Sequence, residues 1–168
     1  MQGRRIGDTG GPLHLVNLSC SELIPLVRLA LDNGANVRLT ATGSSMIPFL
    51  RNGDVVELEK VPPEALRHGD VVLVERPEGG YVLHRMLQIR GAEVFIAGDA
   101  GQRDGWMPVA NVLARVRAVS RKGSWKRLDT ASARSAGLVW ARMHFITWPL
   151  LKLAIWTRQH MHRLSEQR

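Results

Sequence analysis

Apolar residues recur with two different periods along the chain. Between residues 21 and 34 the period is that of a helix, with apolar positions at Leu23, Leu26, Val27, Ala30 and Leu31. Ser21 is expected to cap the start of this helix, and Gly34 is expected to end it. The stretch is short and carries three charges, which favours an amphipathic helix packed on the domain over a membrane-spanning one.

From residue 36 onward the period changes to the alternation typical of β-strands. Turns rich in glycine and proline separate the runs, and Arg90 and Gly91 are expected to form a hairpin turn. The predicted strands cover residues 36–40, 54–60, 70–75, 81–90, 92–97 and 109–119. Many short strands at this spacing predict a mainly β domain with an antiparallel, barrel-like or folded-over sheet.

Composition divides the chain into four parts. Residues 1–20 are predicted to be a disordered lead, and residues 21–119 form the predicted domain. Residues 120–136 are polar and basic and are predicted to be a linker. Residues 137–168 are apolar and basic and are predicted to form a helical tail.

The tail is long enough to span a bilayer, but Arg142, His144, Lys152 and Pro149 argue against a transmembrane helix. Tryptophans beside arginine and lysine suit the surface of a membrane, with contact expected over residues 137–163. Docking of the tail on the β domain or on a partner is an equal alternative.

Charge is distributed unevenly along the 168 residues. Residues 1–100 contain 10 Lys and Arg against 12 Asp and Glu, a net charge of −2, whereas residues 101–168 contain 13 against 3, a net charge of +10. The overall charge of +8 therefore comes from the C-terminal part of the chain. This indicates an anionic partner there, which is lipid, nucleic acid or an acidic protein.

The candidate chemistry lies in residues 41–54, which read Ala-Thr-Gly-Ser-Ser-Met-Ile-Pro-Phe-Leu-Arg-Asn-Gly-Asp between two predicted strands. Glycine frees the backbone before the serines and Pro48 stiffens the chain after them, so a hydroxyl can be held at a fixed angle. A nucleophilic serine needs a base. His84, within a later strand, is the candidate, because imidazole accepts a proton near neutral pH.

Both residues have a plainer explanation. A turn serine more often caps a backbone group, and a lone histidine in a strand is usually a packing or surface residue. The glycine and proline around the serines, together with a histidine in a following strand, favour catalysis. No other histidine of the chain lies in a comparable strand.

Two acids follow His84. Asp99 belongs to a Gly-Asp pair, and Asp104 lies five positions beyond it. Either acid can orient an imidazole and stabilise its charged form. Gly-Asp also occurs at residues 53–54 and 69–70, where a turn explains it. Asp104 is therefore favoured for the contact with the ring, and Asp99 for a supporting position.

In order and spacing these blocks resemble the type I signal peptidases, and within them the archaeal and endoplasmic-reticulum branch that uses a histidine base. The family pattern is Ser-Gly-Ser-Met-x-Pro, Gly-Asp, Gly-Asp-Val-Val, His-Arg, and Gly-Asp with a second Asp nearby. The matching positions here are residues 43–48, 53–54, 69–72, 84–85, 98–99 and 104. The resemblance covers residues 37–119 and gives nothing outside them.

The resemblance implies a signal-peptidase-like fold and a serine endopeptidase that cleaves a leader or signal-like peptide. It implies Ser45 as the nucleophile, since Ser45 precedes Met-x-Pro, with Met46 and Pro48 as contacts to the substrate. The Ser45 N–H is the expected first donor to the oxyanion. Gly43 replaces a serine that is frequent in the family, which leaves Ser44 as the candidate second donor.

The family also implies how the peptide binds, which is as an added strand on an open sheet edge. No cofactor is expected, because the chain lacks metal-ligand spacing and a glycine-rich phosphate loop. The chain has four lysines, and none lies at the position of the lysine base used by other signal peptidases and by the self-cleaving repressors.

Two other functions are alternatives. One is a non-catalytic module that binds peptides or a membrane. The other is a nucleic-acid-binding regulator, which the basic C-terminal part suggests and the lack of a helix-turn-helix or aromatic platform argues against.

Cys20 is the single cysteine, which fits a reducing compartment. Residues 1–12 have no apolar run typical of a signal peptide, and no membrane anchor is predicted before Ser45. A cytoplasmic enzyme is therefore expected, held at the inner membrane surface by its tail.

Overall fold

A computed structural model of the chain describes residues 20–143. One antiparallel sheet of eight strands dominates this region, so the mainly β prediction is confirmed. The strands are β1 (Val37–Thr40), β2 (Val55–Glu59), β3 (Val71–Glu75), β4 (Tyr81–Arg90), β5 (Glu93–Ala97), β6 (Arg103–Pro108), β7 (Val112–Arg121) and β8 (Ser124–Arg127). Two short 3₁₀ turns, Pro63–Ala65 and Val109–Asn111, connect strands. The helices are α1 (Cys20–Asp32) and α2, which covers residues 131–143.

The strand order is β1-β2-β7-β3-β4-β5-β6, with β8 paired to β7. The two end strands, β1 and β6, do not pair, so the sheet is not closed into a barrel. Apolar side chains form two cores. Along β3, Val71 and Leu73 belong to one core and Val72 and Val74 to the other, because successive side chains of a strand point to opposite faces.

Helix α1 ends where the sequence predicted, and its buried face shares Val27 and Leu31 with the predicted one. Gly34 has φ +78° and donates its N–H to the Leu31 carbonyl, which ends the helix in a left-handed turn. The buried stripe is Ile24, Val27 and Leu31, whereas Leu26 is 56% exposed, so the expected packing of Leu26 is wrong. Ser21 lies inside the helix, which already includes Cys20, and is therefore not its cap.

The predicted linker, residues 120–136, is instead regular structure. Strand β8 pairs with β7, and helix α2 follows, with Thr130 Oγ1 accepting the Ala133 N–H at its start. All four residues of β8 are exposed, so they give no alternating pattern. The sequence pattern did not predict strand β6 either, because Met107 is its single buried residue and one apolar position gives no alternation.

Two Gly-Asp turns have the same hydrogen-bond pattern and hold their loops against the sheet. In each, the aspartate accepts the N–H of an arginine three positions earlier, Arg51 for Asp54 and Arg67 for Asp70. The glycine between them has a positive φ. Asp54 also pairs with Arg121 of β7, at 2.6 Å. The contacts of Asp54 with Arg51 and Arg121 fix the base of the loop formed by residues 41–54.

The predicted lead, apart from Cys20, and the tail beyond residue 143 lie outside the described residues. Within residues 20–143, no helix combines the length and apolar character that crossing a bilayer requires.

Candidate active site

Ser45 and His84 lie within hydrogen-bond distance. Ser45 is on the loop between β1 and β2, and His84 is buried in the middle of β4. The Ser45 hydroxyl oxygen is 3.0 Å from His84 Nε2. The structure thus brings together two residues that are 39 positions apart in the chain.

Asp104 contacts the other nitrogen of the ring. Its Oδ2 accepts a hydrogen bond from His84 Nδ1, which places the contact where the sequence favoured it. Because an ionised carboxylate only accepts hydrogen bonds, Nδ1 carries the proton and Nε2 is free to accept the proton of Ser45. A hydroxyl, an imidazole and a carboxylate in this order can activate a serine.

Burial lowers the pKa of His84 below its ordinary value of 6.5, since removal from water disfavours the charged ring. The negative charge of Asp104 acts in the opposite direction, and the positive charge of Arg76 adds to the lowering. His84 is therefore neutral at pH 7, which is the form that can act as a base.

Asp99 bonds to Arg85, the residue after His84 on β4, and no hydrogen bond joins it to the imidazole. It forms a buried ion pair with Arg85, with both guanidinium–carboxylate distances at 2.7 Å. Burial raises the pKa of Asp99, and the hydrogen bonds from Arg85 oppose that rise. Arg85 also donates to the Gly69 carbonyl. The predicted supporting position of Asp99 agrees with this arrangement.

The segment after β5 packs directly against the serine. The Ala100 N–H donates to the Ser45 carbonyl at 2.8 Å. A Cβ atom on Gly98 would lie 2.6 Å from the Ser45 carbonyl oxygen and 3.1 Å from His84 Nε2, so only glycine fits there. Residues 98–100 therefore set the position of Ser45 relative to the ring.

Helix α2 covers the buried ion pair. Trp140 Nε1 donates to the Asp99 carbonyl at 3.0 Å, and the Trp140 ring packs edge-on against Phe49. Gly137 lies so close to Arg85 that a Cβ atom would be 2.2 Å from the guanidinium carbon. Docking on the β domain was one of the two alternatives that the sequence left open for the tail, and residues 137–143 dock in this way. The sequence did not identify the contacting residues, because they are far apart in the chain and carry no shared motif.

An open cleft of about 410 Å³ adjoins the serine. It is lined by Gly43, Ser44, Ser45, Arg76, Val82, His84, Ala100 and Gln102. Within residues 20–143, neither the Ser45 N–H nor the Ser44 hydroxyl has a hydrogen-bond partner. Both remain available as donors to a developing oxyanion.

Met46 and Pro48, expected to contact a substrate, do not line this cleft. Met46 is only 4% exposed and packs in the core with Leu50 and Val56. Its role is to anchor the loop that carries Ser45, which corrects the expectation.

Arg76 is a cleft residue that sequence reasoning did not identify. It follows β3, and its partner Asp104 lies 28 positions away on β6. An isolated arginine before a Pro-Glu-Gly-Gly turn gives no signal of its own. Among residues 20–143, no group of three His, Cys, Asp or Glu side chains is arranged to hold a metal ion.

Comparison with protein-family models and with curated proteins finds no match to this chain.

Proposed function

We propose that the protein is a serine endopeptidase of signal-peptidase type that cleaves a leader or signal-like peptide. The observation that carries the proposal is the continuous set of contacts from Ser45 to His84 to Asp104 beside an open cleft. Turn capping alone would not explain a hydroxyl aimed at the free nitrogen of a buried, oriented imidazole.

In the proposed reaction, His84 Nε2 takes the proton of Ser45 while Oγ attacks the scissile carbonyl carbon. The Ser45 N–H, with the Ser44 hydroxyl as second donor, stabilises the oxyanion. The imidazolium then gives its proton to the leaving amine, which leaves an acyl ester on Ser45. Water, deprotonated by His84, hydrolyses the ester and restores the serine.

The proposed substrate is an extended peptide that adds to the sheet edge near the cleft. The resemblance to signal peptidases favours small side chains next to the scissile bond. The proposed location is the cytoplasm, at the inner membrane surface, with the basic tail as the contact.

The test is cleavage of a library of leader-like peptides by the full chain, followed by mass spectrometry. Ser45→Ala and His84→Ala should each reduce kcat/KM by about 10⁴-fold or more, since removing either member disables the whole unit. Ser124→Ala, on the exposed strand β8, and His68→Ala are matched controls that should cleave normally.

Two outcomes would contradict the proposal. One is full cleavage by either site variant. The other is an inactive wild-type chain that still binds the peptides, which would favour the non-catalytic binding module. Steeply salt-dependent binding to duplex DNA would instead favour the nucleic-acid-binding regulator.

A further inference from the structure

The two carboxylate oxygens of Asp104 have different partners. Oδ2 contacts His84, whereas Oδ1 accepts hydrogen bonds from Arg76 Nε at 2.9 Å and from Arg76 Nη2 at 2.5 Å. The Asp104 side chain is 9% exposed and that of Arg76 is 25% exposed, so water screens the contact only in part. The guanidinium thereby fixes which oxygen faces the ring.

The backbone of Arg76 is itself held. Its N–H donates to the Gly80 carbonyl, and its carbonyl accepts the Gly79 N–H, which closes a turn between β3 and β4. The other acid near the guanidinium is Glu78, which is exposed and 3.8 Å away, too far for a hydrogen bond. Asp104 is therefore the main partner of Arg76 among the described residues.

We propose that Arg76 is a positioning residue for catalysis, which locks Asp104 in the orientation that serves His84 and places a positive charge behind the carboxylate. This inference rests on the proposed function, because it assigns Arg76 a part in the same reaction. The set of interacting residues thus becomes Ser45, His84, Asp104 and Arg76.

Three charged groups act on His84 from the elements packed around it. Asp104 on β6 and Asp99 after β5 both favour the protonated ring, whereas Arg76 after β3 disfavours it. Removing the charge of Arg76 would leave the two carboxylates without this opposition, so the pKa of His84 would rise. Since only the neutral ring accepts the proton of Ser45, the acidic limb of kcat/KM would move to higher pH.

The experiment compares Arg76→Gln, which removes the positive charge, with Arg76→Lys, which keeps the charge but loses the paired Nε and Nη2 donors of the guanidinium. Arg117→Gln on β7 is a control for loss of one positive charge, because its partner is Glu57 rather than a site residue. In each full-length variant, NMR follows the titration of His84, assigned with His84→Gln. Cleavage of the same peptide gives kcat/KM against pH.

Arg76→Gln should raise the titration midpoint of His84 and lower kcat by about 10- to 100-fold, since the base is less well oriented. Arg76→Lys should keep the wild-type midpoint and recover part of kcat, and Arg117→Gln should match the wild type in both. An unchanged or lowered midpoint in folded Arg76→Gln would overturn the inference. The NMR result does not require cleavage, so it separates failure of this inference from failure of the proposed function.

Discussion

The two carboxylate oxygens of Asp104 are not interchangeable, because Oδ1 bonds to Arg76 and Oδ2 bonds to His84. Arg76 can only donate hydrogen bonds, so it requires an acceptor at the Oδ1 position. Asparagine at this position would therefore turn its oxygen to Arg76 and its NH₂ group to the ring. His84 Nδ1 would then have to accept, and the proton would move to Nε2, where it blocks the transfer from Ser45.

Asp104→Asn should consequently be more harmful than Asp104→Ala, although it is the closer replacement. We expect kcat to fall by about 10⁴-fold for asparagine, the size of effect known for a wrong tautomer in a serine triad. Alanine leaves the ring free to adopt either tautomer, so its loss should be smaller. The measurement is kcat for both variants and for Asp104→Asn combined with Arg76→Gln.

The double variant should be more active than Asp104→Asn alone, because the amide can then rotate and present its oxygen to Nδ1. Equal activity of the alanine and asparagine variants, with no recovery in the double variant, would show that Arg76 does not dictate the orientation at residue 104.

The sequence placed two acids near His84 and favoured Asp104 over Asp99 for the contact, because a Gly-Asp pair can also be explained as a turn. The structure shows the contact with Asp104. The sequence could not predict Arg76 as the partner of Asp104, since that pairing depends on how the folded sheet brings the end of β3 close to the start of β6, although β4 and β5 lie between them in the strand order. Burial of Met46 was missed for a similar reason, because its apolar surroundings come from distant parts of the chain.

At the scale of elements, strands whose apolar residues pack into a core were predictable, whereas β6 and β8, with one buried residue and none, were not. Strand β4 was predicted with its observed bounds, and β2, β3 and β5 to within one residue at each end. Strand β8 has no buried face at all, and it forms because the turn at Lys122 and Gly123 returns the chain along β7. Sequence alternation reports burial, so it cannot detect such a strand.

Helix α2 also reaches the site through residues that sequence alone would assign to packing. Arg85 is held on two sides, by Asp99 and by the Gly69 carbonyl, so it cannot move away from the helix. The guanidinium therefore cannot move aside to make room for a larger side chain at residue 137. A larger residue there would have to displace the helix or the ion pair.

Gly137→Ala should destabilise the protein by about 1–3 kcal/mol, the usual cost of overpacking. This is opposite to the gain of about 0.5–1 kcal/mol that the same change gives inside an unconstrained helix. Thermal unfolding measures the difference, and Ser135→Ala on the exposed side of α2 is the control that should be neutral or slightly stabilising. A Gly137→Ala protein as stable as the wild type would show that α2 does not dock on Arg85 as described.

For the whole molecule, strand pairing brings basic residues from after residue 100 next to acidic residues from before it, so the charge asymmetry along the sequence is smaller in the folded domain. The basic strand β7 lies beside the acidic strand β2, and Arg115, Arg117 and Arg121 form ion pairs with Glu59, Glu57 and Asp54. These three, of the 13 positive charges after residue 100, are thus paired with acids of the first hundred residues. Beyond residue 143 the lysines and arginines are Lys152, Arg158, Arg163 and Arg168, and the histidines are His144, His160 and His162.

If the tail is the anionic-surface contact, these residues should decide membrane binding. The full chain should co-sediment with vesicles rich in phosphatidylserine but not with neutral vesicles, and salt above about 0.1 M should weaken the binding. Changing Lys152, Arg158 and Arg163 to Gln should weaken it by about 100-fold, at about 1 kcal/mol for each charge near the surface. Changing Lys122 and Lys126 on the β7–β8 hairpin to Gln should have a smaller effect, because these lysines lie outside the predicted contact at residues 137–163. Equal binding of the tail variant and the wild type, or equal binding to neutral vesicles, would exclude the tail charges as the membrane contact.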